Sequence, residues 1–329
     1  MTSSNLSNAR ISVPASSANL GPGFDCLALA LGLRLNAKAD WDGAKVKLRD
    51  FDSPLDWWKK CVLPNCKYTG TVATLEDDEG RPNLVAVSFA KAVMAGGPEY
   101  YLPEKLSIEM HSDIPIGQGL GSSAAAAVAG AALAELWRTG KLDKQKVFSA
   151  AVEIEGHADN AAAATFGGLQ AALLFGRETR ASNIKFSDSL RIAIAVPKET
   201  LKESTAATRR WLPENLKRTD AVSNQRALLT LLYGLRLGDK EAIRAGFEDR
   251  LHVPHRKGMI VGYDDIAKAA WDAGAFGVTI SGAGGTMIAL GQGDMKPVAE
   301  AMAQAYSHHG MDATPLTPNI DVEGLKQEA

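Results

Sequence analysis

A glycine-rich segment followed by two serines is the part of this 329-residue sequence that points most directly to chemistry. It reads Pro115-Ile-Gly-Gln-Gly-Leu-Gly-Ser-Ser-Ala124, and its three alternate glycines permit positive φ angles and close backbone approach. Ser122 and Ser123 then open an alanine-rich stretch of high helix propensity. Because N–H groups and the helix dipole favour anions at a helix N-terminus, the segment predicts a phosphate-binding loop. The alternative is an ordinary helix start after a glycine turn.

Two later segments carry residue types that fit the same chemistry. Ser281-Gly-Ala-Gly-Gly-Thr286 could wrap a phosphate with backbone amides, or it could be a tight hairpin turn. Glu153-Ile-Glu-Gly-His-Ala-Asp-Asn160 supplies carboxylates. A carboxylate beside a phosphate loop suggests Mg²⁺, which takes one or two protein carboxylates together with phosphate oxygens. The alternative is a helix C-terminus that contains a hydrogen-bonded histidine.

Composition places the chain among globular proteins. Hydrophobic residues make up 46% and charged residues 22%, and the length suggests two domains or one large one. A net charge of -2 gives no support for nucleic-acid binding. Three cysteines and a polar N-terminus without a signal core favour a cytoplasmic protein. The uncharged stretch 114–134 is read as a glycine loop and a buried helix, so no membrane association is expected.

Hydrophobic spacing predicts the elements that must position these segments. Strands are predicted over 10–13, 27–35, 44–48, 106–110, 169–175, 191–196, 278–280 and 286–289, and residues 17–23 are predicted to form a turn-rich loop. Helices are predicted over 83–94, 121–137, 144–155, 220–237, 240–251, 264–273 and 298–308. A soft domain boundary is expected at 176–186, where polar residues cluster. Residues 51–79 show no regular pattern.

Three segments in order resemble signatures of the GHMP kinase superfamily: Pro14 to Asp25, the Pro115 to Ala124 loop and Ser281 to Thr286. Within it the sequence is most similar to the homoserine kinase family. That closer resemblance also lies in His157-Ala-Asp-Asn160 with Gly167-Gly168, in Ser204-Thr205 with Arg209 and Leu212-Pro213, and in the Asp249 to Arg256 segment. Together these matches run from about Arg10 to Leu290.

The resemblance implies an α+β fold of two domains. Residues 1–187 would form an N-terminal ATP-binding domain with the glycine-rich loop, and 188–329 a ferredoxin-like α/β sandwich that completes the substrate site. The implied activity is phosphorylation of the side-chain hydroxyl of L-homoserine by ATP with Mg²⁺, in threonine biosynthesis. The alternatives are another small-molecule kinase of the superfamily or a non-catalytic nucleotide-binding relative. A homodimer is an open expectation.

The resemblance also assigns roles to individual residues. Arg209 and Arg256 would bind the substrate carboxylate, since a guanidinium makes bidentate hydrogen bonds. Asp25 would face the ammonium or the hydroxyl. The other substrate-binding residues implied are Asn19, His157, Asn160 and Thr205. Nucleotide-binding residues implied are Pro115, Gly117, Gln118, Gly119, Leu120, Gly121, Ser122, Ser123, Ala124, Asn83, Gly282 and Gly284.

For the phosphoryl transfer itself the resemblance implies little covalent work by the protein. Relatives with an aspartate base have it where this chain has Asn160, so transfer without a strong base is expected, with Asp25 as a candidate proton acceptor. Ser123 and Glu153 are expected to hold Mg²⁺, and Glu155 is the alternative to Glu153. The chain departs from the family pattern at three positions, Ala163, His255 and Gly285.

Overall fold

A long antiparallel hairpin forms the spine of the N-terminal half. The computed structural model describes residues 6–41, 45–47, 50–62, 66–73, 83–95, 101–199 and 208–328. Strands β1 (Asn8–Asn19) and β2 (Gly23–Trp41) pair along their length, with register shifts after Pro14 and Ala18. Nearly all of β1 is buried because helices cover it. The hairpin therefore carries its turn, residues 20–22, to a fixed place at the end of the sheet.

The remaining strands of this sheet flank the hairpin. β4 (Cys66–Gly70) runs parallel to β6 (Leu106–Ser112), and β6 pairs with the far end of β2. β7 (Leu169–Phe175) pairs with the near end of β2 and with β8 (Glu178–Ile184). A separate short ladder joins β3 (Lys45–Lys47) and β5 (Tyr101–Pro103).

Helices pack on this sheet and on one another. They are α1 (Pro54–Cys61), α2 (Leu84–Met94), α3 (Ser122–Thr139), α4 (Lys144–Glu155) and α5 (Asp159–Phe166). α3 is buried from Ala124 to Trp137, which confirms the prediction of a buried alanine-rich helix behind the glycine loop. Small side chains let α5 lie close to β1 and β2, where Ala163 packs against Ala18, Ala28 and Ala30.

The C-terminal half has the ferredoxin-like order predicted from the resemblance. Its antiparallel sheet runs β10 (Gly277–Ile280), β11 (Met287–Gln292), β9 (Leu190–Pro197), β12 (Ala313–Leu316). The chain passes strand, helices, two strands, helix, strand, which is the split βαβ pattern. The helices are α6 (Arg218–Leu237), α7 (Lys240–Gly246), α8 (Val253–Arg256), α9 (Tyr263–Asp272) and α10 (Lys296–His308).

The two halves share a core through β9. Its alternate residues Ile192, Ile194 and Val196 belong to the large core that includes β1 and α3, whereas Ala193 and Ala195 face α9 and α10. This alternation is the two-residue period of a strand buried on both faces. The last strand, β13 (Lys326–Glu328), returns to pair with β1, so the chain ends in the first sheet. The division at 187/188 stays a prediction.

Several predicted boundaries were wrong. β1 continues to Asn19, so the expected loop over 17–23 shortens to a tight turn. The helix predicted over 240–251 stops at Gly246, because the Asp249 carboxylate accepts the N–H groups of Leu251, His252 and Val253 and starts a new turn. Elements not predicted are α1, α5, α8, β4, β5, β8, β12 and β13. Within the described ranges, no helix is both long and apolar enough to cross a membrane.

Candidate active site

The hairpin turn between β1 and β2 holds an unusual concentration of left-handed backbone. Asn19, Leu20 and Asp25 have φ angles of 74°, 47° and 56°, which non-glycine residues seldom adopt. Asn19 maintains the turn: its Nδ2 donates to the Gly282 carbonyl at 3.0 Å, and its Oδ1 accepts from the Asp25 N–H at 3.1 Å. Such strain clusters at functional sites, and here it presents Asp25 at the surface.

The two glycine loops predicted to bind phosphate pack directly on each other. A Cβ on Gly119 would lie 2.2 Å from the Ser281 carbonyl oxygen and 2.7 Å from the Gly284 nitrogen. Ser281 Oγ also donates to the Gly119 carbonyl at 2.7 Å. Glycine is required at 119 by this close approach as well as by its φ of 77°. The loops therefore form one surface, which neither segment predicts alone.

Other residues of the two loops are anchored by hydrogen bonds to neighbouring elements. The Leu120 side chain is buried, and its carbonyl accepts from the Ser16 N–H at 3.1 Å. The buried Gln118 amide donates to the carbonyls of Pro197 and Glu199, so this side chain anchors the loop to β9. In the second loop the buried Tyr306 hydroxyl donates to the carbonyl of Gly285, the position where the family pattern has proline.

The start of α5 brings an amide and a carboxylate to the same place. Asn160 Oδ1 accepts from Ser16 Oγ at 2.8 Å, and a Cβ on Gly121 would lie 2.2 Å from that serine oxygen. Asp159 is buried and accepts the Asn160 N–H at 2.7 Å. His157 Nδ1 lies 3.6 Å from Asp159 Oδ1, and this carboxylate raises the pKa of His157. With its oxygen engaged, Asn160 offers a ligand N–H donors and no basic group.

The residues predicted to hold Mg²⁺ do not all lie together. Ser123, at the start of α3, donates to Glu155 Oε1 at 2.6 Å. Glu153 lies elsewhere, on a cavity of about 300 Å³ between α2, α3 and α4 that Arg138 and Lys146 also line. Residues two apart on a helix point about 200° apart, which separates these two glutamates. Ser123 and Glu155 thus supply adjacent oxygen atoms beside the first glycine loop.

Asn83 has a capping role inside the N-terminal half. Its Oδ1 accepts the Ala86 N–H at the start of α2, and its Nδ2 donates to the Tyr68 hydroxyl at 2.6 Å. The side chain is buried, which does not favour the predicted contact with a nucleotide. Thr205 lies outside the described residues.

Asp25 and Arg209 form a two-pronged ion pair across the opening of the site. Arg209 Nη1 and Nη2 donate to the two Asp25 carboxylate oxygens, each at 2.9 Å. This carboxylate raises the pKa of Arg209. About 40% of each side chain is exposed, so the pair remains accessible to a ligand.

Arg256 is a buried cation for which the described residues provide no carboxylate partner. The residue is 3% exposed, and its Nε has no hydrogen-bond partner there. Burial and the neighbouring Arg209 both lower its pKa, although a guanidinium stays charged. Asp25 and Asp249 shift this pKa in the opposite direction, but neither forms an ion pair with Arg256 among the described residues, so the buried guanidinium can take an anion as its partner.

The structure therefore brings most of the residues predicted for the substrate site into one region and places three further residues beside them. Asn19, Asp25, His157, Asn160, Arg209 and Arg256 surround one region beside the glycine loops. Phe24, whose ring contacts both arginines, Asp159 and Ser16 were not predicted. All three lie inside the quoted motifs, and only their contacts across the fold distinguish them from the other motif residues. Two carboxylates, two guanidinium groups and a phosphate-type loop suit a small zwitterion and a polyphosphate.

Comparisons with known proteins find relatives for both halves of the chain. Residues 85–168 match the family model of the GHMP kinases N terminal domain, and residues 231–308 match that of the GHMP kinases C terminal. The chain is similar to the homoserine kinase of Microchaete diplosiphon, with 34% identity covering 97% of both chains. It is also similar to that of Moorella thermoacetica, with 35% identity over 92% of this chain and 94% of the relative.

Two solved structures share the fold. The homoserine kinase of Cytophaga hutchinsonii superposes with a TM-score of 0.80 at 24% identity, covering 100% of this chain and 99% of that one. A mevalonate kinase superposes with a TM-score of 0.64 at 14% identity, covering 95% and 99%. These likenesses confirm the predicted two-domain α+β fold.

Proposed function

This chain belongs to the homoserine kinase family of the GHMP kinases, and on that premise we propose that its site transfers the γ-phosphoryl group of ATP to the side-chain hydroxyl of L-homoserine. The observation that carries the residue assignment is the buried, unpaired Arg256 beside Arg209. Together they offer two guanidinium forks to one α-carboxylate, while Asp25 and Asp159 offer negative charge to the α-ammonium. A sugar acceptor without these charges would leave Arg256 buried without an ion-pair partner.

Binding of the zwitterion would exchange one internal ion pair for two intermolecular ones. In the ligand-free protein the Asp25 carboxylate is satisfied by Arg209. An α-carboxylate that takes over the Arg209 fork frees Asp25 to accept from the α-ammonium, so no charge of the site is left alone. Because both side chains are about 40% exposed, the exchange needs no opening of a buried cluster.

The nucleotide phosphates would lie against the glycine loops and the start of α3. The residues fit Mg²⁺: Ser123 Oγ and Glu155 Oε1 are adjacent oxygen donors, and this ion takes few protein ligands in phosphate sites. When bound, the ion would neutralise charge on the phosphate oxygens. Glu153, our first choice, is not beside Ser123, so we assign the carboxylate role to Glu155.

The chain's own contribution to transfer is positioning. The Asn160 amide, fixed by Ser16, can donate to a phosphate oxygen but cannot take a proton. Asp25 is our candidate proton acceptor for the arrangement in which it faces the side-chain hydroxyl and Asp159 faces the α-ammonium. Alignment of hydroxyl and phosphate, with N–H donors around the transferred group, is the main source of rate in this chemistry.

The test is release of ADP measured with a panel of acceptors: L-homoserine, L-serine, L-threonine, mevalonate and galactose. The proposal expects turnover that depends on homoserine and is far weaker with the others. Equal or better turnover with mevalonate or galactose would assign the chain to another acceptor, and ATP binding without turnover on any acceptor would indicate a non-catalytic relative.

We also propose a cytoplasmic location, which the three free cysteines support.

A further inference from the structure

One aromatic ring contacts both substrate-facing arginines. The guanidinium carbons of Arg256 and Arg209 lie 5.3 Å and 5.7 Å from the centroid of the Phe24 ring. The same ring stacks on His252, with centroids 5.2 Å apart and planes inclined by 29°. Phe24 follows the strained turn directly, so its position is tied to that of Asp25.

His252 is held rigidly from both of its ends. The residue is fully buried, and its ring Nε2 lies 3.0 Å from the Gly21 carbonyl oxygen. A carbonyl can only accept, so Nε2 carries the proton. The backbone N–H of His252 donates to Asp249 Oδ2 at 2.8 Å. The imidazole therefore joins the hairpin turn of the N-terminal half to the helical segment that carries Arg256.

We propose that Phe24 and His252 form a positioning pair that holds Arg209 and Arg256 together at the spacing of one carboxylate, an inference that rests on the proposed function. Two guanidinium groups repel each other, and the negative face of an aromatic ring offsets this repulsion. His252 supports the ring without adding a third positive charge. The charged groups that face it are Asp249, Arg256 and Asp25, and burial lowers its pKa.

Steady-state kinetics with ATP and homoserine test this pair. Phe24→Leu removes the ring but keeps an apolar side chain, so KM for homoserine should rise at least about tenfold, while KM for ATP stays within about threefold. Phe24→Tyr retains the ring and should stay within about threefold of wild type for both substrates. His252→Gln keeps a donor for Gly21 but loses the stack, and should raise KM for homoserine by about threefold or more.

Phe175→Leu is the matched control, because the Phe175 ring also lies under a guanidinium, that of Arg180 at 4.6 Å, on an exposed hairpin. It should leave both KM values unchanged. A Phe24→Leu enzyme whose homoserine KM is within threefold of wild type, or whose ATP KM rises in parallel, overturns the positioning pair. Should that variant fail to fold, an unchanged homoserine KM in His252→Gln overturns it equally. A wild type inactive on homoserine instead overturns the proposed function.

Discussion

Arg209 and Asp25 lie 184 positions apart in the sequence, and in the folded protein they share two parallel hydrogen bonds of 2.9 Å. The pair joins the turn of the first hairpin to the segment that follows β9. Its two members are also the residues to which the resemblance assigns opposite ends of the substrate. A ligand that carries both charges can replace each member's partner, whereas a ligand with one charge leaves the other member unpaired. This relationship makes acceptor specificity testable.

The first prediction concerns the two arginines. Arg256→Ala should lower kcat/KM for homoserine by roughly 30-fold to several thousand-fold, since truncating one partner of a desolvated charge pair costs about 2–5 kcal/mol. Arg209→Ala should lower it in the same direction but by less, because about 40% of this side chain is exposed. KM for ATP should change little. The control acceptor is 3-aminopropanol, which lacks the carboxylate and on which the variants should work no worse than wild type. Loss of ATP binding in both variants would assign the arginines to the phosphates.

The second prediction separates the two glutamates of α4. Glu155→Gln and Ser123→Ala should each lower turnover by at least about 100-fold, the scale of losing a key electrostatic group, and should raise the Mg²⁺ concentration needed for half-maximal rate. Glu153→Gln is the matched control, because Glu153 lines a separate cavity. Titration of activity with Mg²⁺ measures all three variants. The assignment fails if Glu153→Gln is the damaging change.

The third prediction distinguishes steric need from backbone strain in the first glycine loop. Gly119 and Gly293 have similar φ angles, 77° and 73°, but a Cβ meets the second loop only at Gly119. Gly119→Ala and Gly293→Ala should therefore each lower the free energy of unfolding by about 1 kcal/mol, because alanine is strained in the left-handed conformation. Of these two variants, only Gly119→Ala should weaken ATP affinity. Gly121→Val, whose side chain would meet Ser16, should abolish ATP binding.

Calorimetric ATP binding and unfolding in denaturant measure the two effects separately. ATP affinity in Gly121→Val within about threefold of wild type, less than ~1 kcal/mol, would show that the loop does not hold the phosphates.

The fourth prediction is a pH dependence of stability from His252. Burial lowers the pKa of this imidazole in the folded protein, so between that value and about 6.5 the unfolded chain binds more protons than the folded one. The free energy of unfolding should fall as pH drops below about 6.5, and this part of the loss ends at the lower, folded pKa. His252→Gln should show a shallower loss over the same interval. If denaturant unfolding from pH 8 to pH 5 gives the same change in the free energy of unfolding for the wild type and His252→Gln, this prediction is contradicted.

Local patterns in the sequence were sufficient for many elements of the fold. α4 and β7 were predicted to the residue, and α3 to within two residues at its end, because alanine propensity and hydrophobic spacing act along neighbouring residues. Weaker elements were missed. β8 and β13 are short and polar, and they form only because β7 and β1 offer an open edge. α5 follows a histidine and a glycine that resemble a helix end.

For the site, the sequence alone determined which residue types are present and their order along the chain, and the resemblance to a known family attached roles to them. The tertiary structure decided their partners. It placed Gly119 against Gly284, paired Asp25 with Arg209, and set Ser123 beside Glu155 instead of Glu153. The physical reason is that these contacts depend on how elements distant in sequence cross. Helical spacing puts Glu153 and Glu155 on different faces of α4, but only the packing of α4 beside α3 decides which face meets Ser123.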